Sequence, residues 1–241
     1  MKKILLVLSL LPFFACNPEP KPETTQSGND LRKAVEWVSY SAEYEAMCLQ
    51  VYYWAFASLE TSLANGLESD LPPAIVLDVD ETVLDNSDYE WFLIRNGKSY
   101  ESATWKQWTD SAKAKAVPGS LSFLHKADSL GVAIFLISNR KTGEINSTQK
   151  NLAKLGYPAI PLEHYLFKED ESSKTTRRNL VLKNYQIVQF LGDNLDDFDA
   201  IFEMRDKNHG KEAVTNHADD FGSRFFLLPN PMYGSWEQAI H

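Results

Sequence analysis

Cysteine is scarce in this sequence. Its two cysteines, Cys16 and Cys48, are too few to build a disulfide framework. Histidine is sparse too: His125, His164, His209, His217 and His241 are scattered. None has a metal-ligand spacing such as His-Glu-x-x-His, which argues against a histidine-built metal centre. Positive charge is outweighed, with 24 Lys and Arg against 33 Asp and Glu and a net charge of −9. Such a surface does not hold a nucleic-acid polymer by charge. A small anionic ligand would need local cations or a metal. The apolar run Ile4–Phe14 is shorter than the roughly 20 residues that cross a bilayer. What is present is a hydrophobic fraction of 44% in 241 residues. That supports a real core, in one domain or one domain with a modest insertion.

The first residues read as a targeting segment. Met1-Lys2-Lys3 is a basic start, Ile4–Phe14 an apolar middle, and Ala15-Cys16 its end. This looks like a bacterial lipoprotein signal spanning residues 1–15, with the Cys16 thiol lipidated. The alternative is an ordinary secretory signal with an incidental cysteine. Residues 16–30 are rich in Pro, Glu, Thr and Ser and read as a disordered tether.

The stretch Ala74–Asp88, AIVLDVDETVLDNSD, organises the rest. Ala-Ile-Val-Leu has the pattern of a strand buried on both faces of a parallel sheet. It runs into Asp78-Val79-Asp80. Two carboxylates at the mouth of a buried strand are costly unless something binds them. A strand ending in solvated acids would explain a lone Asp-x-Asp. A second acid cluster, Gly192-Asp193-Asn194-Leu195-Asp196-Asp197-Phe198, follows another apolar run, Ile187–Leu191. Two such clusters point to a cation site at the carboxyl edge of an open α/β sheet.

Leu31–Asn65 is a helical tract, with Ser39 or Ser41 starting a second helix. Tyr89–Pro118, rich in aromatics, crosses above the strand end as part of a cap. Ser120–Leu130 is a helix and Val132–Ile137 a strand. Ser138-Asn139-Arg140 then leads into a helix over Thr142–Leu155. The triplet suits anion binding by side-chain and backbone donors, or is a plain helix cap. Tyr165–Phe167 and Phe225–Leu228 are further strands. Lys174 opens a helix, and Ala200–Ala218 is a polar surface excursion. Alternating strands and helices predict an α/β fold, a parallel sheet with helices on both faces.

DVDETVLDNSDY, ISNR, the lysine of SSKTTR, GDNLDDF and the tail LPNPMYGSWE resemble the haloacid dehalogenase (HAD) superfamily. Within it they are similar to the class C acid phosphatases, the lipoprotein e family of 5′-nucleotidases. The likeness covers about Leu31 to Glu237. It implies a HAD-like Rossmannoid core over 31–241. A small, mainly helical cap would be built from residues 31–66 and 89–118.

The resemblance implies that Asp78 is the nucleophile, forming an aspartyl-phosphate, and Asp80 the general acid and base. It implies Mg²⁺ held by the Asp78 carboxylate, the Asp80 main-chain carbonyl and Asp193, with Asp197 acting through water or behind the ligands. Ser138, Asn139 and Lys174 would hold the phosphoryl oxygens. Tyr233 would stack on a nucleobase, with Tyr100 or Tyr89 as a second wall; otherwise Tyr233 is a tail aromatic packed on the fold. Arg140 either points at substrate or pairs with an acid and fixes the loop.

The expected function is Mg²⁺-dependent hydrolysis of 5′-nucleotides, including nicotinamide mononucleotide. The histidine pattern argues against a zinc phosphatase and a phosphohistidine route. One alternative is a broad acid phosphatase for small organic or aryl phosphates. Another is a binding lipoprotein without catalysis. The expected setting is the bacterial cell envelope, at the outer membrane through Cys16, as a homodimer by analogy.

Overall fold

The computed structural model describes residues 26–205 and 208–240, with side chains from Asp30 onward. The expected signal peptide, the lipidated Cys16 and most of the tether lie outside the described residues. Helix α1 (Gln26–Tyr40) begins inside the stretch expected as tether, so helix takes the end of that stretch. Helix α2 (Ala42–Ala64) follows after Ser41, whose hydroxyl accepts the Tyr44 N–H at 3.1 Å. That satisfies one of the amides a helix start leaves free. No helix among the described residues is long and apolar enough to cross a membrane.

Strand β1 (Pro73–Leu77) leads to the short β2 (Leu84–Asp85), helix α3 (Ser87–Asn96) and helix α4 (Ser102–Ser111). Then come β3 (Lys115–Ala116), α5 (Ser120–Ser129), β4 (Ala133–Lys141) and α6 (Ile145–Leu155). The chain continues through β5 (Tyr165–Lys168), α7 (Thr175–Leu182), β6 (Gln186–Gly192), α8 (Lys211–Asn216), β7 (Phe225–Leu227) and α9 (Trp236–Ile240). Five strands form a parallel sheet in the order β5-β4-β1-β6-β7, and β2 pairs antiparallel with β3.

Alternation along β1 divides the core. Ile75 and Leu77 face a cluster with Cys48, Tyr52, Ala55 and Leu59 of α2 and with Phe123 and Leu124 of α5. Ala74 and Val76 face the other side, with Val181, Phe190, Phe198, Phe202 and Phe225. Period-2 alternation in a strand covered on both faces produces this two-sided apolar pattern.

Two expectations change here. Helix α2 was expected in the cap; it instead packs on α5, β6 and β7 as a layer of the core. The cap over the strand ends is α1 packed on α3, together with α4 and the β2–β3 pair. The segment Ala200–Ala218 is largely exposed, yet Phe202 is fully buried and pins it to the second core cluster.

Candidate active site

Asp78 sits one residue beyond β1, its N–H donating to the Leu191 carbonyl of β6 at 3.0 Å. The sheet ladder thus extends through the carboxylate-bearing residue and fixes it at the carboxyl edge. The chain then turns sharply. The Val79 carbonyl accepts from Val83 and Leu84, and Glu81 adopts a left-handed φ of 55°. Tyr52 of α2 braces this turn, its hydroxyl donating to the Thr82 carbonyl at 2.5 Å.

Lys174, just before α7, reaches into the site and is buried. Its ammonium pairs with Asp78 and donates to Asp197 Oδ1 at 2.6 Å. Burial opposes the lysine charge, but Asp197 and Asp78 outweigh it and hold Lys174 above the ordinary lysine range. Burial raises Asp78, Lys174 pulls it down, Asp197 and Asp80 raise it again, and the net is upward. Asp193 is pushed well above the carboxylate range by burial, then by Asp197 and Asp78. Its Oδ2 accepts from Asn194 and Asn230, each at 2.8 Å. Asp197 Oδ2 caps the Asn194 N–H at 3.0 Å.

This crowding of acids is what a cation would relieve. Among the described residues, no three His, Cys, Asp or Glu side chains converge so as to hold an ion by themselves. The expected set needs two side-chain carboxylates, Asp78 and Asp193, with a main-chain carbonyl and water. Among the described residues, Asp78 Oδ2 has no hydrogen-bond partner, and Asp193 Oδ1 has a single distant one, Thr82 at 3.5 Å. An all-oxygen donor set with two free carboxylate oxygens fits a hard divalent cation.

Asp80 is aimed by Arg140. The guanidinium Nε lies 3.0 and 3.2 Å from its two oxygens and Nη2 lies 2.7 Å from Oδ1. Arg140 is buried, and its Nη1 donates to Thr148 at 2.8 Å. Of the two roles open for Arg140, the geometry selects pairing with an acid. Asn86 completes the support, donating to Asp80 at 2.8 Å and to Glu81 at 3.1 Å while accepting the Trp108 indole N–H at 2.8 Å.

Ser138 and Asn139 line the same cavity as Asp78, Lys174 and Asp193, about 500 Å³ in volume. Here the expected boundary moves. Strand β4 runs on through Ser138-Asn139-Arg140 to Lys141, with its register to β5 broken between Ser138 and Lys141. Ahead of the helix start, Glu144 Oε2 accepts the Lys141 N–H at 2.7 Å. Arg177, which the sequence did not single out for the site, clamps the end of β4. It donates to the Ser138 carbonyl at 2.6 Å and to Asn139 Oδ1 at 2.8 Å.

Of the three tyrosines, Tyr233 and Tyr100 line a second cavity of about 910 Å³, and Tyr89 does not. Tyr89 is 1% exposed, its hydroxyl 2.9 Å from Thr104 Oγ1 and its ring packed on Trp105. Its aromatic surface is spent inside the cap, so it cannot be a wall for substrate. Tyr233 donates to Glu81 Oε1 at 2.6 Å, a partner the sequence reading missed. The two cavities meet at Asp80, Asn139 and Tyr233.

A parallel sheet bringing two strand-end acid clusters, a hydroxyl and a lysine to one cavity defines a HAD-type phosphoryl-transfer fold. The family model for HAD superfamily, subfamily IIIB (Acid phosphatase), matches residues 19–236, and the chain belongs to that family. The class C acid phosphatase from Bacillus anthracis is 41% identical, with a TM-score of 0.83 over 88% of this chain and 89% of that one; its structure has tungstate bound. Among curated proteins, the stem 28 kDa glycoprotein of Glycine max is 26% identical over 80% of this chain and 69% of its own length. Acid phosphatase 1 of Solanum lycopersicum is 27% identical over 66% of this chain, which spans 57% of its length. Family and structural neighbours make the chain a phosphomonoesterase.

Proposed function

We propose that this chain hydrolyses 5′-nucleotides with the help of Mg²⁺, through a phosphorylated Asp78. The observation that carries the reading is the pairing of Asp78 with Lys174 beside Asp193, at the floor of a cavity that opens onto an aromatic-walled one. One oxygen of the Asp78 carboxylate attacks phosphorus in line with the ester oxygen. The O–P ester bond breaks, and Asp80 gives its proton to the departing alkoxide. Asp80 then takes a proton from water, which attacks the aspartyl-phosphate and frees phosphate. Lys174 and Ser138 hold the phosphoryl oxygens while charge moves across them. The residues to hold Mg²⁺ are Asp78, Asp193 and the Asp80 carbonyl, with Asp197 acting through water. When bound, the ion cancels the repulsion between carboxylate and phosphoester. The tungstate in the Bacillus anthracis relative supports the reading, since tungstate is a tetrahedral oxyanion like phosphate.

A second reading, a broad phosphatase of small aryl phosphates, draws support from the burial of Tyr89, which leaves the nucleobase fewer walls. A phosphate-release panel over nucleotides and one aryl phosphate separates the two. The expected result is higher kcat/KM for nucleotides, loss of turnover with chelator, and its return with Mg²⁺. Asp78→Asn is expected to lose at least about a thousandfold in kcat with an unchanged melting curve; turnover retained in that variant removes Asp78 from its role.

A further inference from the structure

The larger cavity has a far wall that the reaction leaves unexplained. Glu90, on α3, lines it and is 7% exposed. Among the described residues its carboxylate has no hydrogen-bond or ion-pair partner. Three basic side chains line the same cavity, and all three are engaged elsewhere. Arg32 lies 3.8 Å from Glu36 and over the Trp91 ring, and the Lys98 ammonium sits over Phe92 at 5.6 Å. Arg140 is taken by Asp80 and Thr148. The neighbouring acid, Glu237, adds charge of the same sign.

A carboxyl that lines a cavity without a protein partner leaves its oxygens for a ligand. The cavity also presents the rings of Tyr100, Trp105 and Tyr233. Aromatic faces beside an unpaired acid attract a cation from both sides, through the ring quadrupoles and the carboxylate. A phosphomonoester with its phosphate on Lys174 and Ser138 can extend its leaving group past Asp80 and Tyr233 into this space.

We propose that Glu90 is a specificity-determining residue that favours phosphomonoesters whose leaving group carries a positive charge. This rests on the reaction proposed above. Glu90 touches the far end of the substrate and no reacting atom.

Oxidised and reduced nicotinamide mononucleotide test it, because the two share size and ribose phosphate and differ in ring charge. At pH 8, where Glu90 is ionised, the wild-type chain is expected to show kcat/KM about tenfold higher for the oxidised, cationic form. Glu90→Gln should bring the ratio to within about twofold and leave the reduced form nearly unchanged. An unchanged ratio, or equal losses on both, overturns the proposal. Calorimetry with the two phosphate-free ribosides needs no turnover. Tighter binding of the cationic riboside, lost in Glu90→Gln, supports Glu90 even if no phosphate is released and the reaction itself fails. Equal affinity for the two ribosides overturns the role of Glu90 even where phosphate release is robust.

Discussion

Arg140 shows how one side chain can set the competence of another. Three N–H···O contacts hold the Asp80 carboxylate at the threshold between the cavities. A planar fork matches a carboxylate in a way that an ammonium does not. Arg140→Lys is expected to lower kcat about a hundredfold with little change in KM, because Asp80 loses its aim and not its chemistry. Partial recovery of Arg140→Ala by added guanidinium would mark the role as positioning. Glu90 makes a different prediction, on stability. Burial, with help from Glu237, pushes it up from 4.5 to about 7. The folded chain therefore keeps a proton that the unfolded chain releases in that window. Stability is full below about pH 4.5 and is lost as pH rises toward 7. Glu90→Gln should match wild type in unfolding free energy at pH 4.5 and exceed it above pH 7, by at most about 3 kcal/mol, read by denaturant titration. A buried acid that costs stability is the pattern expected of a residue retained for binding.

Among the elements, β6 and the turn after it carry the tightest constraint. Gly192 ends the strand, and a Cβ there would lie 2.2 Å from Asp197 Oδ2 and 2.7 Å from its Cγ. Neither atom can yield without moving the carboxylate that receives Lys174. Gly192→Ala is expected to cost about 1–3 kcal/mol in stability and to reduce phosphate release at least tenfold, read by melting and initial rates. Much of this was legible in the sequence. The apolar runs before Asp78 and Asp193 mark β1 and β6, strands covered on both faces, and the one polar residue inside them, Gln189, is buried with its amide donating to the Ala55 carbonyl. The β4 end was less legible. Ser138-Asn139-Arg140 has the composition of a helix cap, and whether the strand continues through it depends on Arg177, 37 or more residues away along the chain, holding the bulge. Tyr89 misled for a related reason: an aromatic beside a site looks the same in sequence whether its face meets substrate or Trp105. Glu81 and Asn86 were hidden because their partners, Tyr233 and Trp108, come from the tail and the cap.

At the scale of the whole molecule, the described domain and the first 25 residues pose separate questions. The proposed envelope anchor rests on the lipobox-like end at Ala15-Cys16. Expressed in bacteria, the full chain is expected in the membrane fraction, and Cys16→Ser should move phosphatase activity to the soluble fraction. An unmoved distribution removes the anchor. The domain itself separates its two tasks. The cavity at Asp78 is lined from β4, from the turns after β1 and β6, from Lys174 and from the tail, while the larger cavity is lined by α1, α3, α4, Arg140 and the tail. These regions touch through three residues, Asp80, Asn139 and Tyr233. The seam runs through the acid itself: Asn86 and Trp108, both from the segment between β2 and β3, steady Asp80, so a foreign segment can re-task the enzyme toward new esters only if it keeps those two side chains.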